Sequence, residues 1–259
     1  MPVDVERLRA ERVYESSVPV GMLTDDLAQI ESVAAAWRAS RKRLIKAGVA
    51  LLLLGVALLF LFFPVGILLI AIGVYLFFRV KTMPKTVAND PSRCEFAKSL
   101  VAVLAHDTGV KTPAAVRLAF DPKEEVLSEK PLPHRKNGKE KLCKCPWFSV
   151  DTTLLDGTDF TETIEDLVRR RSFKNPRGKS KTKTRTRSVI AMRFAYPAEV
   201  YGDLTPFSAK MQKEIQLPKS ALVRGLEVNS KAVKVKALVT ERGDLAQTSV
   251  TLALGSTEC

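Results

Sequence analysis

Cys143-Lys144-Cys145 is the tightest group of chemically capable side chains in this sequence. In an extended strand the two thiols point to one face, where Cys94 or His134 would complete a zinc site of three or four ligands. The spacing argues against that chemistry, because zinc ribbons use paired C-x-x-C knuckles and the chain contains none. Buried, inert thiols are the expected state of Cys94, Cys143 and Cys145. His106 and Asp107 are sequential neighbours with no nucleophile beside them, which fits the C-terminal end of a helix. The chain has no glycine-rich phosphate loop and no carboxylates paired at a catalytic spacing. No catalytic residue is assigned and no cofactor is expected; a metal-dependent hydrolase built on the cysteines and His134 is the rival from the enzyme class.

Binding chemistry is more legible. Between Arg169 and Arg187 stand Arg169, Arg170, Arg171, Lys174, Arg177, Lys179, Lys181, Lys183, Arg185 and Arg187, ten cations in nineteen residues without an acid. From Lys179 onward lysine or arginine alternates with serine or threonine. Side chains two apart in a strand share a face, so the five cations from Lys179 to Arg187 form one row. The opposite parity runs through Thr184, Thr186 and Ser188 into Ile190, Met192 and Phe194, which places the threonine side toward the core and the basic row toward solvent. Glu165 and Asp166 are expected to neutralise Arg185 and Arg187 near the base of the hairpin. Such a surface suits anionic lipid headgroups, with nucleic-acid phosphate as the alternative. A third reading is that the lysines protect an exposed strand edge from pairing with other chains.

The element that must position this surface is an uncharged run of 32 residues, Ala47 to Phe78. As one straight helix it would measure roughly 48 Å against a hydrocarbon core of about 30 Å. A break at Pro64 and Gly66 is predicted, giving arms Ala47–Phe63 and Val65–Phe78. Arg38, Arg41, Lys42, Arg43 and Lys46 precede the run, and Arg79, Lys81 and Lys85 follow it, so both ends are expected on the cytoplasmic side. The charges favour a two-pass hairpin over a single kinked span or a re-entrant loop. Gly48 and Gly55 are seven apart, as are Gly66 and Gly73, which gives each arm a small-residue face for close packing.

The remaining chain divides around that anchor. Residues 1–37 carry seven carboxylates against Arg7, Arg9 and Arg12, and the first part of this acidic block, 1–23, is expected to be a flexible arm. An amphipathic helix over 24–46, with Leu27, Ile30, Val33, Ala34 and Trp37 recurring at helical spacing, leads into the membrane segment at 47–78. A linker over 79–91 then joins one cytosolic domain, 92–259, of α+β class and mostly antiparallel, with the basic hairpin at 158–196. In it, 121–141 reads as a loop, Asp156-Gly157 as a hairpin turn, and Leu222–Val228, Lys231–Thr240 and Gln247–Leu254 as three closing strands. Four cysteines in a chain of net charge +13 fit a reduced compartment better than a disulfide framework. No leader peptide is expected, because the first long apolar run begins only at residue 47. The predicted role is a non-enzymatic, membrane-anchored scaffold or adaptor. Its expected partners are anionic lipid headgroups, with nucleic acid, an acidic protein, or a second copy through the membrane hairpin as alternatives.

Overall fold

The computed structural model describes residues 3–82, 91–109, 111–133, 138–174, 179–207, 217–240 and 244–257. Asp4 opens helix α1 (Val5–Glu11) by accepting a hydrogen bond from the Arg7 backbone N–H at 2.9 Å. Arg12 then adopts the left-handed conformation, φ 59°, and directs the chain into strand β1 (Val13–Pro19). Helix α2 (Val20–Leu58) follows directly, and α3 (Phe63–Thr82) packs back along it. Next come helix α4 (Pro91–Asp107) and strands β2 (Pro113–Ala119), β3 (Glu125–Pro131), β4 (Lys139–Thr153), β5 (Asp159–Lys174) and β6 (Ser180–Ala195). Short helix α5 (Ala198–Tyr201), strands β7 (Ala221–Val228) and β8 (Ala232–Val239), and helix α6 (Leu245–Thr257) complete the chain.

The eight strands form one antiparallel sheet in the order β1-β2-β4-β5-β6-β8-β7. β4 is long enough to take two partners in tandem on one side, β3 along 139–144 and β2 along 148–151. One sheet face presents Val116 and Leu118, Phe148 and Val150, Phe160 and Ile164, Ile190 and Phe194, and Val233 and Val235, all buried. Leu23, Leu27, Ile30 and Ala34 of α2, Phe96, Leu100 and Leu104 of α4, and Leu245 and Leu252 of α6 join the same core. α4 contacts both α2 and α6. The protein is therefore mixed α+β, with helices gathered on one face of an antiparallel sheet.

At Trp147 the β4–β5 ladder slips by one residue, between Pro146 and Phe148. Pro146 has no N–H for the ladder, and the slip switches which parity of β4 faces inward. Cys143 and Cys145 point in before it, Phe148 and Val150 after it. Consecutive aromatics are thereby both buried, with ring centroids 5.5 Å (Trp147) and 5.3 Å (Phe148) from Phe96 in edge contact. The Asp156-Gly157 turn joins β4 to β5, with Gly157 at φ 86° and the Asp156 carboxylate accepting from the Thr158 N–H at 2.8 Å.

Four expectations are corrected. Residues 1–23 are not a flexible arm over the described part: β1 pairs with β2 along its whole length, and Leu8 and Tyr14 are buried. The acidic charge is met locally, Glu15 accepting from Arg117 at 2.8 Å and Asp26 from the Tyr14 hydroxyl at 2.7 Å. The supposed loop at 121–141 contains β3. The break in the apolar run falls at 59–62 rather than at Pro64, because a proline lacking its N–H fits the first turn of a helix. Finally, the last segment is helical. Leu245, Thr248, Ser249 and Leu252 are buried there, each three or four residues from another of them, so their burial follows the helical period and not the strand period.

Candidate anion-binding face

The other face of the sheet carries the basic row. The β5–β6 register sets Leu167 opposite Arg187, Arg169 opposite Arg185, Arg171 opposite Lys183 and Phe173 opposite Lys181. Cross-strand partners share a face, so the odd-numbered cations of β5 and β6 converge. Sequence alternation had assigned the parity of β6; the pairing adds Arg169 and Arg171 to the same face and turns Arg170 and Lys174 to the other. Arg170 is held there by Glu124, with one N–H···O distance of 2.8 Å. Lys179 precedes β6, and Arg177 lies outside the described residues.

Beyond β6, strand β8 contributes Lys236, paired with Ala191, and a register slip between Val223 and Gly225 in β7 accompanies Arg224. Together with Lys130 of β3, Arg169, Arg185, Arg187, Arg224 and Lys236 ring a recess of about 570 Å³. Its floor is apolar: Leu142, Leu167, Val189 and Leu238. A neighbouring recess of about 450 Å³ is lined in part by Phe173, Arg171, Lys183 and the Pro131-Leu132-Pro133 segment. The arrangement therefore combines convergent cations with an apolar base, which suits an anion that carries hydrocarbon.

Placing arginine against arginine across a ladder is unfavourable without compensation. Glu140 provides it at one end, accepting from Arg169 at 2.8 Å and from Arg171 at 2.5 Å. Those two hydrogen bonds, Arg169's first, hold the Glu140 carboxyl below its ordinary range. Among the described residues no carboxylate pairs with Lys181, Lys183, Arg185 or Arg187. The expected partners of Arg185 and Arg187 are elsewhere. Glu165 sits opposite Val189 and binds Lys144 at 2.7 Å, while Asp166 points into the core.

Asp166 has a structural task there. Its carboxylate accepts from Arg93 at 3.3 Å and from the Ser188 hydroxyl at 2.7 Å. Arg93, on α4, also donates to the Ala119 carbonyl at 2.9 Å and stacks 5.1 Å over the Trp147 ring. A second inward acid, Glu162, is fully buried and accepts from the Ser249 hydroxyl of α6 at 2.7 Å, its other oxygen having no partner among the described residues. Burial pushes the Glu162 carboxyl up to about 8. The signal for both was present in the sequence, since Glu162 and Asp166 share the inward parity of Ile164.

The cysteines do not assemble a ligand set. Cys94, Cys143 and Cys145 are buried, and burial first of all pushes the Cys145 thiol up. Among the described residues no three His, Cys, Asp or Glu side chains are grouped to hold a metal; His134 lies outside those residues. His106 and Asp107 are exposed at the end of α4.

In the α2–α3 hairpin the four glycines meet in pairs. A Cβ on Gly66 would stand 2.7 Å from the Leu59 backbone nitrogen and 2.9 Å from the Gly55 carbonyl, and one on Gly73 would stand 3.1 Å from the Gly48 carbonyl. Among the described residues one helix, Phe63–Val80, is long and apolar enough to cross a membrane, with mean hydropathy 2.2. No protein family, curated protein or solved structure matches the chain.

Proposed function

We propose that this chain is a membrane-anchored, non-enzymatic binding protein whose concave basic sheet face engages anionic lipid headgroups. The observation that carries the reading is the recess itself, six lysine and arginine side chains around a four-residue apolar floor, with Glu140 the one acid in its lining. The anchor is the α2–α3 hairpin. Leu53, Phe60, Leu61, Leu68 and Phe78 lie exposed on it, an apolar surface that lipid would cover. Cations bracket it at Lys46 and Arg79, which supports both ends lying on the cytoplasmic side.

Distance supports lipid as the ligand. α2 runs unbroken from the folded domain into the apolar hairpin, and Trp37 still packs against the core. The nine residues 38–46 between core and apolar run measure only about 14 Å as helix. The domain is held close to the headgroup layer, where each lysine or arginine near an anionic surface contributes about 1 kcal/mol.

The test uses the full chain in neutral-lipid nanodiscs, offered anionic or neutral liposomes. Anionic liposomes are expected to be captured, with capture falling as salt screens charges beyond about 8 Å at 0.15 M, and neutral ones ignored. Replacing Lys181, Lys183, Arg185 and Arg187 by Gln keeps the strand alternation and is expected to abolish capture without unfolding. A second reading has its own observation: β8 ends opposite Ser188, so among the described residues 180–187 of β6 pair only with β5 and form an open edge. If the folded Gln variant captures anionic liposomes as the parent does, the row serves edge protection alone. Stronger capture of nucleic acid than of liposomes would reassign the face to phosphate backbones.

A further inference from the structure

We infer that the α2–α3 hairpin enters the bilayer from one face and ends inside the hydrocarbon, so that no part of the chain reaches the far surface. The inference rests on the membrane anchoring proposed above and adds depth to it. Flank charges specify an even number of crossings or none; arm length and the chemistry of the apex decide between these.

The arms are short. In α2 only twelve residues, 47–58, lie between Lys46 and the turn, about 18 Å of helix. In α3 the sixteen residues from Phe63 to Phe78 precede Arg79, about 24 Å. Both fall short of a hydrocarbon core of about 30 Å. With Lys46 and Arg79 at the near headgroups, the apex passes the midplane and stops before the opposite headgroups.

The apex is built to stay there. It reads Leu59-Phe60-Leu61-Phe62-Phe63, with Phe60 89% and Leu61 74% exposed, and offers neither water nor a headgroup a polar side chain. Emergence would put these side chains in water at about 1.5–3 kcal/mol each. Backbone left unpaired in lipid is the usual objection to a buried turn. Here the turn meets much of that cost itself: Leu59 N–H donates to the Gly55 carbonyl at 3.0 Å, Leu61 and Phe62 to Leu58 at 3.2 and 2.7 Å, and Val65 and Gly66 to Phe62 at 3.0 Å each, five N–H groups satisfied within the hairpin. Pro64 has no N–H to satisfy. Close contact at Gly55 and Gly66, directly beneath the turn, lets the arms meet without any other protein between them.

The occupant of the exposed hairpin surface is thus the acyl chains of the leaflet it enters and the inner part of the next. The experiment uses the full chain with Cys259→Ser, reconstituted in sealed liposomes, carrying either Leu61→Cys at the apex or Ser40→Cys on the exposed stretch before the anchor. Both positions are exposed, so neither substitution disturbs packing. Only the thiolate reacts with a maleimide, and it does not form in hydrocarbon. Ser40→Cys is expected to label from its own side in sealed vesicles, and Leu61→Cys from neither side until detergent is added. Labelling of Leu61→Cys from the face opposite Ser40→Cys would overturn the inference in favour of a two-pass hairpin. As a second measurement, a fluorophore attached at Leu61→Cys should be quenched more by lipids brominated near the acyl terminus than by headgroup nitroxides; the reverse order also overturns it. Release of the protein by alkaline carbonate would instead sink the anchoring itself, a separate outcome.

Discussion

Glu162 shows how one residue couples the stability of the domain to pH. Its carboxyl is pushed up from 4.5 to about 8 by burial, with the Ser249 hydroxyl offsetting only part of that. The folded state therefore keeps a proton that the unfolded state has released at neutral pH. Stability from this group is highest below about pH 4.5 and falls by up to about 1.4 kcal/mol per pH unit as pH rises toward 8. Glu162→Gln retains the shape and the oxygen that Ser249 bonds but carries no charge at any pH. Guanidinium melts in detergent are expected to show the variant more stable than the parent at pH 8, by a few kcal/mol, and nearly equal to it at pH 5. Parallel pH profiles would show that the parent carboxyl is already solvated. The Arg93–Asp166 pair differs in kind, since both charges have partners and the guanidinium covers Trp147. It ties α4 to β5 and to the end of β2.

At the scale of elements, the glycines of the hairpin do two jobs that composition alone does not separate. Gly66→Ala brings a methyl within 2.7 Å of backbone that cannot rotate away, so the arms must move apart. A loss of about 1–3 kcal/mol is expected, read as a lower unfolding midpoint in micelles and a longer spin-label distance between α2 and α3. Gly21→Ala, where a Cβ meets nothing within 4 Å, is the control, and the helix preference for alanine predicts a gain of up to about 1 kcal/mol. Equal effects at the two positions would mean that close packing of the arms contributes nothing. The same contrast explains the misplaced break: Pro64 and Gly66 look like a turn pair, yet one starts α3 and the other seats it against α2.

Across the whole molecule, the apolar hairpin and the sheet domain share one helix. Leu23, Leu27, Ile30 and Ala34 of α2 are buried in the core, and the same helix reaches Leu58 at the hairpin turn. A fragment starting at residue 91 would lack β1 and this buried stripe, exposing Val116, Leu118 and the apolar side of α4. It is expected to bind hydrophobic dyes and to lose amide protection in β2 and α4, whereas the full chain in nanodiscs keeps both. Protection unchanged in the fragment would show that α2 is a tether and not a wall of the core. The shared helix also means that, under the anchoring proposed above, tilting the hairpin would tilt the basic face with it.

Short-range periodicity carried much of this protein in its sequence. The alternation marked the buried side of β6 from Ser188 to Phe194, although both sides are exposed from Ser180 to Arg185; Asp156-Gly157 marked the β4–β5 turn, and the stripe Leu27, Ile30, Ala34 marked the buried side of α2, because each signal lies within a few residues of chain. What the sequence left undetermined depends on pairing between distant segments. The recess joins Lys130, Arg169, Arg187, Arg224 and Lys236 from five strands, and only the sheet order and two register slips bring them together. The acidic segment before α2 joined the sheet by pairing β1 with β2, where Tyr14 is buried and Glu15 meets Arg117, 102 residues later in the chain. The final helix read as a strand because valine and threonine favour extended chain locally. Its packing against α4 and the sheet, with Ser249 bonded to Glu162, outweighs that preference. Local patterning specifies which way a side chain points; which charges end up as neighbours is a property of the assembled sheet.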